Sequence, residues 1–202
     1  MQTLKDDIRK KILASARQEF AKRGFTQASM RNIAAQAGVG VGNLYNYFPS
    51  KDNLFCTVLS PIVSSFYAMF NRHHGEYVDA LDMISENYLV NAVTEYMNLI
   101  KGNRTLMKML FFQSQGSSLE HFKMEFTNKT TELVKIWFEN NKARHPQMNI
   151  DVSDFMIHLH TVCMFTMLEE MLMHKIPECQ IHKIVEEYIK IEINGWRHIM
   201  EI

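Results

Sequence analysis

The chain of 202 residues reads as an all-α protein of about nine helices. Three observations carry that reading. Apolar residues recur at steps of three and four, the period of a helix with one buried face. From Tyr77 onward no segment shows the alternation of a half-buried strand. Gly24, Gly38, Pro49, Gly102, Gly116, Pro146 and Pro177 fall where the periodic segments end, as helix stops do, while Pro61 interrupts one.

Taken in order, Thr3 can cap the first helix, with Asp6 and Asp7 near its positive end. Leu4, Ile8, Ile12, Ala16 and Phe20 then follow at steps of four, and Gly24 ends it. Ser29 is a second N-cap, and Ile33, Ala34 and Ala37 mark the inward face of a short helix closed by Gly38, which takes a positive φ without a Cβ penalty. A third helix spans roughly Val41 to Tyr47, with Leu44 and Phe48 packing back, and Pro49 stops it. Ser50 caps a fourth, which Pro61 is expected to kink before it resumes to about His73. The rest reads as one long helix over residues 78–101, a short one over 105–115, then helices over about 119–143, 152–175 and 179–200. Asp151 or Ser153 is the expected cap of the fourth of these five.

Two short helices across a glycine-bearing turn form a helix-turn-helix, whose second helix lies in the DNA major groove. Here that helix turns Val41, Gly42, Asn43, Tyr45, Asn46 and Tyr47 outward. It has no acidic group. Asparagine can pair bidentately with adenine, and tyrosine hydroxyls suit phosphate oxygens. Gly42 allows close approach, and Arg31 and Lys51 supply charge on either side. Tyr45 and Tyr47 could instead pad a helix junction, but the whole constellation favours a reader.

Charge agrees. The chain holds 22 basic and 22 acidic residues, but residues 1–55 carry nine of the former and four of the latter. A basic head on an acidic body suits a head that meets phosphate.

The run Phe20-Ala21-Lys22-Arg23-Gly24-Phe25, then Arg31-Asn32-Ile33-Ala34, Ala37-Gly38-Val39, Gly42-Asn43-Leu44-Tyr45-Asn46-Tyr47-Phe48 and Ser50-Lys51-Asp52-Asn53-Leu54 resembles the TetR family of transcriptional regulators. The match is dense over the first quarter of the chain. Beyond it only length and helical pattern agree. Tyr47 stands where the family often has histidine, and both can reach a phosphate. The resemblance implies a three-helix DNA-binding domain over 1–50, with motif at about 29–48 and family-style limits of about 6–66. It implies a regulatory and dimerisation domain over 51–202. Asn43 and Asn46 are then the base readers, and Ser29, Arg31, Tyr45, Tyr47 and Lys51 the phosphate contacts. The partners implied are a palindromic double-stranded operator, a second copy of the chain and a small apolar effector that releases a repressor.

The body offers candidates for the last two. Helix 152–175 is apolar nearly all round, so one chain can cover only part of it. With the last helix it resembles the family's four-helix dimer surface, through Phe155, Leu159, Met167, Met171, Ile184, Tyr188, Ile191 and Trp196. Methionine and aromatic side chains crowd the body. Each is more often plain core, but methionines adapt to varied ligands, and Met107, Phe111, Phe122, Trp137, Phe138 and Met164 are the pocket candidates.

Other chemistry is thin. His158 and His160 point apart on a helix, and Cys179, His182 and His174 lack a fourth ligand, so no metal or cofactor is expected. Cys163 reads as an inert core thiol. No catalytic spacing stands out, so an enzyme is not expected. Three cysteines without a pairing pattern, no apolar leader and no approach to an uninterrupted membrane span point to the cytoplasm. The alternatives are a regulator acting through protein contacts without a ligand, or a helical carrier or enzyme.

Overall fold

A computed structural model describes residues 2–202, and side chains from residue 5 onward apart from those at 84 and 86. The cap read at Thr3 and the packing of Leu4 rest on side chains outside those described. Among the described residues there are nine α-helices, one short 3-10 helix and no strand. The chain divides into two compact units, Met1–Ser64 with Asn103–Phe122, and Ser65–Gly102 with Lys123–Ile202. This differs from the 1–50 and 51–202 reading, because the first unit also takes in a segment from mid-chain.

In the first unit, α1 (Gln2–Gln27) is broken at Gly24, whose φ of 70° lies outside the helical range. α2 (Met30–Ala37) and α3 (Val41–Tyr47) follow, then the start of α4 (Lys51–His74). Ile12, Ala16, Phe20, Ile33, Leu44, Leu54 and Phe55 are buried together as its core. The rings of Phe20 and Phe55 meet edge-on at 4.9 Å, and Phe25 lies 5.1 Å from Phe55. The mid-chain segment carries α6 (Arg104–Phe112) and the loop after it. Phe25 N–H donates to Gln113 O at 2.8 Å, and the Thr26 hydroxyl to Gln115 O at 2.8 Å. The Gln113 amide reaches Ala21 O at 3.3 Å. Asp52 accepts from Ser118 N–H at 2.8 Å and from its hydroxyl at 2.9 Å. These bonds between distant parts of the chain tie the segment to the head.

The second unit holds the end of α4, α5 (Glu86–Ile100), α7 (Phe122–Arg144), α8 (Asp154–Met173) and α9 (Glu178–Met200). The single helix expected over 78–101 is corrected. A 3-10 helix over Ala80–Ile84 precedes α5, with Ser85 extended between them. Asp79 caps Leu81 N–H at 2.8 Å, so the backbone bonds locally instead of continuing a helix. Fully buried Asn141 of α7 holds this turn, accepting from Ala80 N–H at 2.8 Å and donating to Trp137 O at 2.9 Å. α7 begins near residue 122 instead of 119, because residues 114–121 turn in short-range bonds, such as Ser117 N–H to Ser114 O. Ser153, not Asp151, caps α8, accepting from Met156 N–H at 3.3 Å.

α4 is one continuous helix through Pro61. Contrary to the sequence reading, it is long and apolar enough, by length and composition, to cross a membrane. Leu54, Phe55, Leu59, Ile62 and Phe66 are fully buried inside the protein, which accounts for its apolarity. Cys163 is also corrected: it is exposed, since α8 turns that side outward.

Candidate nucleic-acid interface

α2 starts and stops where its ends dictate. The Ser29 hydroxyl accepts from Asn32 N–H at 3.4 Å, and Gly38 closes the helix in the left-handed region at φ 68°. Gly40, extended, starts α3 two residues later. Leu44 is fully buried and Phe48 nearly so, which fixes the rotation of α3. Gly42, Asn43, Tyr45 and Asn46 are therefore exposed, with Val41 and Tyr47 half-buried beside them. A Cβ built on Gly42 meets nothing within 4 Å, so packing within the chain does not demand glycine there.

Glu19, which sequence reasoning passed over, holds the entry to α2. It is 3% exposed and accepts from Ser29 N–H and Asn32 Nδ2, both at 3.2 Å, and from Arg23 Nε at 3.2 Å. Its signal was available: it is the lone acidic residue between Ile8 and Lys51. Lys51 has two intramolecular acceptors, Thr26 O at 3.2 Å and Ala28 O at 3.4 Å, and sits over the Phe25 ring at 4.6 Å. Arg31 is exposed at the start of α2. Arg9 lies over the Phe48 ring at 5.4 Å.

Residues 12–57 match the family model for bacterial regulatory proteins of the tetR family. These residues form a TetR-family DNA-binding domain. A "Probable HTH-type transcriptional regulator YttP" of Bacillus subtilis is 22% identical over 200 residues, covering 95% of each chain. In fold, the chain is similar to a TetR-like transcriptional regulator from Rhodococcus sp. RHA1, with a TM-score of 0.62 at 18% identity, over 93% of this chain and 96% of that one. It is also similar to FadR of Bacillus subtilis, crystallised with stearoyl-CoA, with a TM-score of 0.60 at 15% identity, over 87% and 95% of the two chains. It is a DNA-binding transcriptional regulator, and its all-helical architecture is that of its structural neighbours.

The second unit holds a partly open cavity of about 100 Å³ between α4, α5, α7, α8 and α9. Of the pocket candidates, Trp137, Phe138 and Met164 line it. Met107, Phe111 and Phe122 do not, being buried in the first unit. The cavity wall also holds polar groups that sequence spacing could not place together: His73, His74, Tyr88, Tyr96, His160 and Glu192. His73 bonds Tyr88 Oη and Glu95 Oε2, both at 2.8 Å. His160 Nδ1 lies against Glu192 Oε2, and the Trp196 indole N–H points at both, 3.1 Å from the first and 3.3 Å from the second. Burial pushes the Glu192 carboxyl up, but the bonds from His160 and Trp196 and the charge of His160 outweigh it and hold it below the usual carboxylate range. The Nδ1 atom of His74 is buried with no hydrogen-bond partner among the described residues.

Of the residues expected at a partner surface, Phe155 and Ile191 are 73% and 72% exposed. Leu159, Met167, Ile184 and Tyr188 are half-buried. Met171 and Trp196 are buried within the second unit, and Trp196 faces the cavity instead.

Proposed function

We propose that this regulator is a homodimeric repressor that reads a palindromic operator with α3 and leaves it when a small molecule occupies the second unit. The observation that carries the reading is the exposed face of α3, free of acidic groups and seated on buried Leu44. In this reading Asn43 and Asn46 contact bases, Gly42 lets the backbone approach, Val41 faces the DNA beside them, and Ser29, Arg31, Tyr45, Tyr47 and Lys51 hold phosphates. Two-fold pairing through α8 and α9 lets two short readers share one site. The exposed Phe155 and Ile191 support that choice of face. FadR with stearoyl-CoA supports an effector in the body as a mode of control. Such a ligand shifts operator affinity only as far as its affinities for the two states differ.

The test is binding of the purified protein to DNA upstream of its own gene, against random DNA, across a salt series. Tight, sequence-selective binding by two subunits per site is expected. Equal, weak affinity for both DNAs sinks the α3 reading for that site.

A further inference from the structure

We propose that the cavity of the second unit takes a compact, uncharged aromatic molecule bearing one hydroxyl, which pairs with His74 Nδ1. The proposal rests on the effector reading and narrows its ligand class.

Four observations lead there. First, size: the cavity of about 100 Å³ is below the roughly 150 Å³ that holds a benzene ring. Met69, Met83, Met164 and Met200 line it, and thioether side chains yield enough to admit a single ring. Second, shape and surface: the rings of Phe70, Phe126, Trp137, Phe138 and Trp196 form much of its wall, and aromatic rings pack best against another ring at an offset or edge-on.

Third, charge. Among the described residues no lysine or arginine lines the cavity, while Glu192 does. An anionic ligand would meet a carboxylate and no cation, at a high desolvation cost. A cationic ligand would have to compete with His160 and Trp196, which already hold Glu192. Fourth, the unpaired atom. His74 lines the cavity, its ring stacks on Phe70 at 5.3 Å and meets Trp137 edge-on at 5.2 Å, and its Nδ1 has no partner among the described residues. A buried polar atom left unpaired is costly, and a ligand that pairs it gains what an apolar ligand forgoes.

The chain offers a direct readout. Its two tryptophans, Trp137 and Trp196, both line the cavity. Emission excited at the red edge of tryptophan absorption therefore reports occupancy in the full-length protein. The probes are phenol, toluene, benzoate, benzylamine and octanoate. Phenol is expected to change the emission saturably, toluene to bind about tenfold more weakly, and the three charged probes more weakly still. His74→Phe is expected to erase the preference for phenol over toluene, and His74→Asn to keep part of it. If His74→Phe does not fold, the probe series on the native protein decides. A charged probe binding as tightly as phenol, equal affinity for phenol and toluene, or no saturable response to any probe would overturn the assignment. Phenol that binds without weakening operator affinity overturns the effector reading and upholds the cavity assignment. Failure of every probe with operator affinity intact overturns the cavity assignment alone.

Discussion

Asn43 and Gly42 sit side by side on the exposed face of α3, and neither is needed to pack the head. Their substitutions therefore separate recognition from stability. Asn43→Ala is expected to cost about 1–3 kcal/mol on the operator and little on random DNA, read as two titrations at one salt concentration. An equal loss on both would remove its base-reading role. His74 carries the opposite kind of prediction, one about stability. Burial, then the charges of His160 and His73, push its pKa from the ordinary 6.5 down to about 3. The unfolded chain therefore takes up a proton first as pH falls. Stability is full above about pH 6.5 and is lost progressively toward pH 3. Burial also lowers His73, against the pull of Glu95, and adds to the same trend. Glu192 loses its contribution only lower, as pH falls through the carboxylate range. Urea midpoints should drop between pH 6.5 and 4, and His74→Phe should make that drop shallower. A slope unchanged by the substitution would mean that His74 is not buried neutral.

The elements of the head depend on a few polar ties between helices. Glu19 of α1 accepts from two groups at the start of α2 and from Arg23, while nearly inaccessible to water. Removing it leaves partly buried donors at the start of α2 without their acceptor, a larger loss than the bonds alone. Glu19→Ala is expected to lower stability by about 1–3 kcal/mol, with Glu19→Gln recovering part of it, measured by urea unfolding. Wild-type stability in Glu19→Ala would show that water replaces the carboxylate. The cap of α2 and the left-handed Gly38 were both legible in the sequence, because a cap needs only its own residue type and the next turn. Glu19 stood out only as a lone acidic residue in a basic head; nothing in a helical period distinguishes a buried carboxylate from a solvated one.

For the molecule as a whole, the proposed dimer is the feature most open to a decisive measurement. Phe155 and Ile191 lie exposed on α8 and α9, so charges placed there disturb little inside one chain. Ile191→Glu and Phe155→Glu are expected to shift sedimentation from dimer to monomer while helical circular dichroism stays unchanged. Operator affinity should fall at least tenfold, since one reader then binds alone. Sedimentation unchanged in both variants would place the partner surface elsewhere.

What the sequence determined by itself is local. The helical period, the caps and the glycine and proline stops depend on residues within a turn or two, so α2, α3 and the outward face of α3 could be read without a structure. The family signature is legible for the same reason, since it lies in one continuous run. Only the tertiary structure decided which distant segments meet. It joined residues 103–122 to the head through hydrogen bonds to residues 21–26 and to Asp52. It also drew His73 and His74, His160, and Glu192 and Trp196 from α4, α8 and α9 to one cavity. Three of the pocket candidates went elsewhere because their apolar pattern says that they are buried, but not in which core. Burial is set by transfer from water, which is indifferent to the identity of the neighbour, so periodicity records the face and packing chooses the partner.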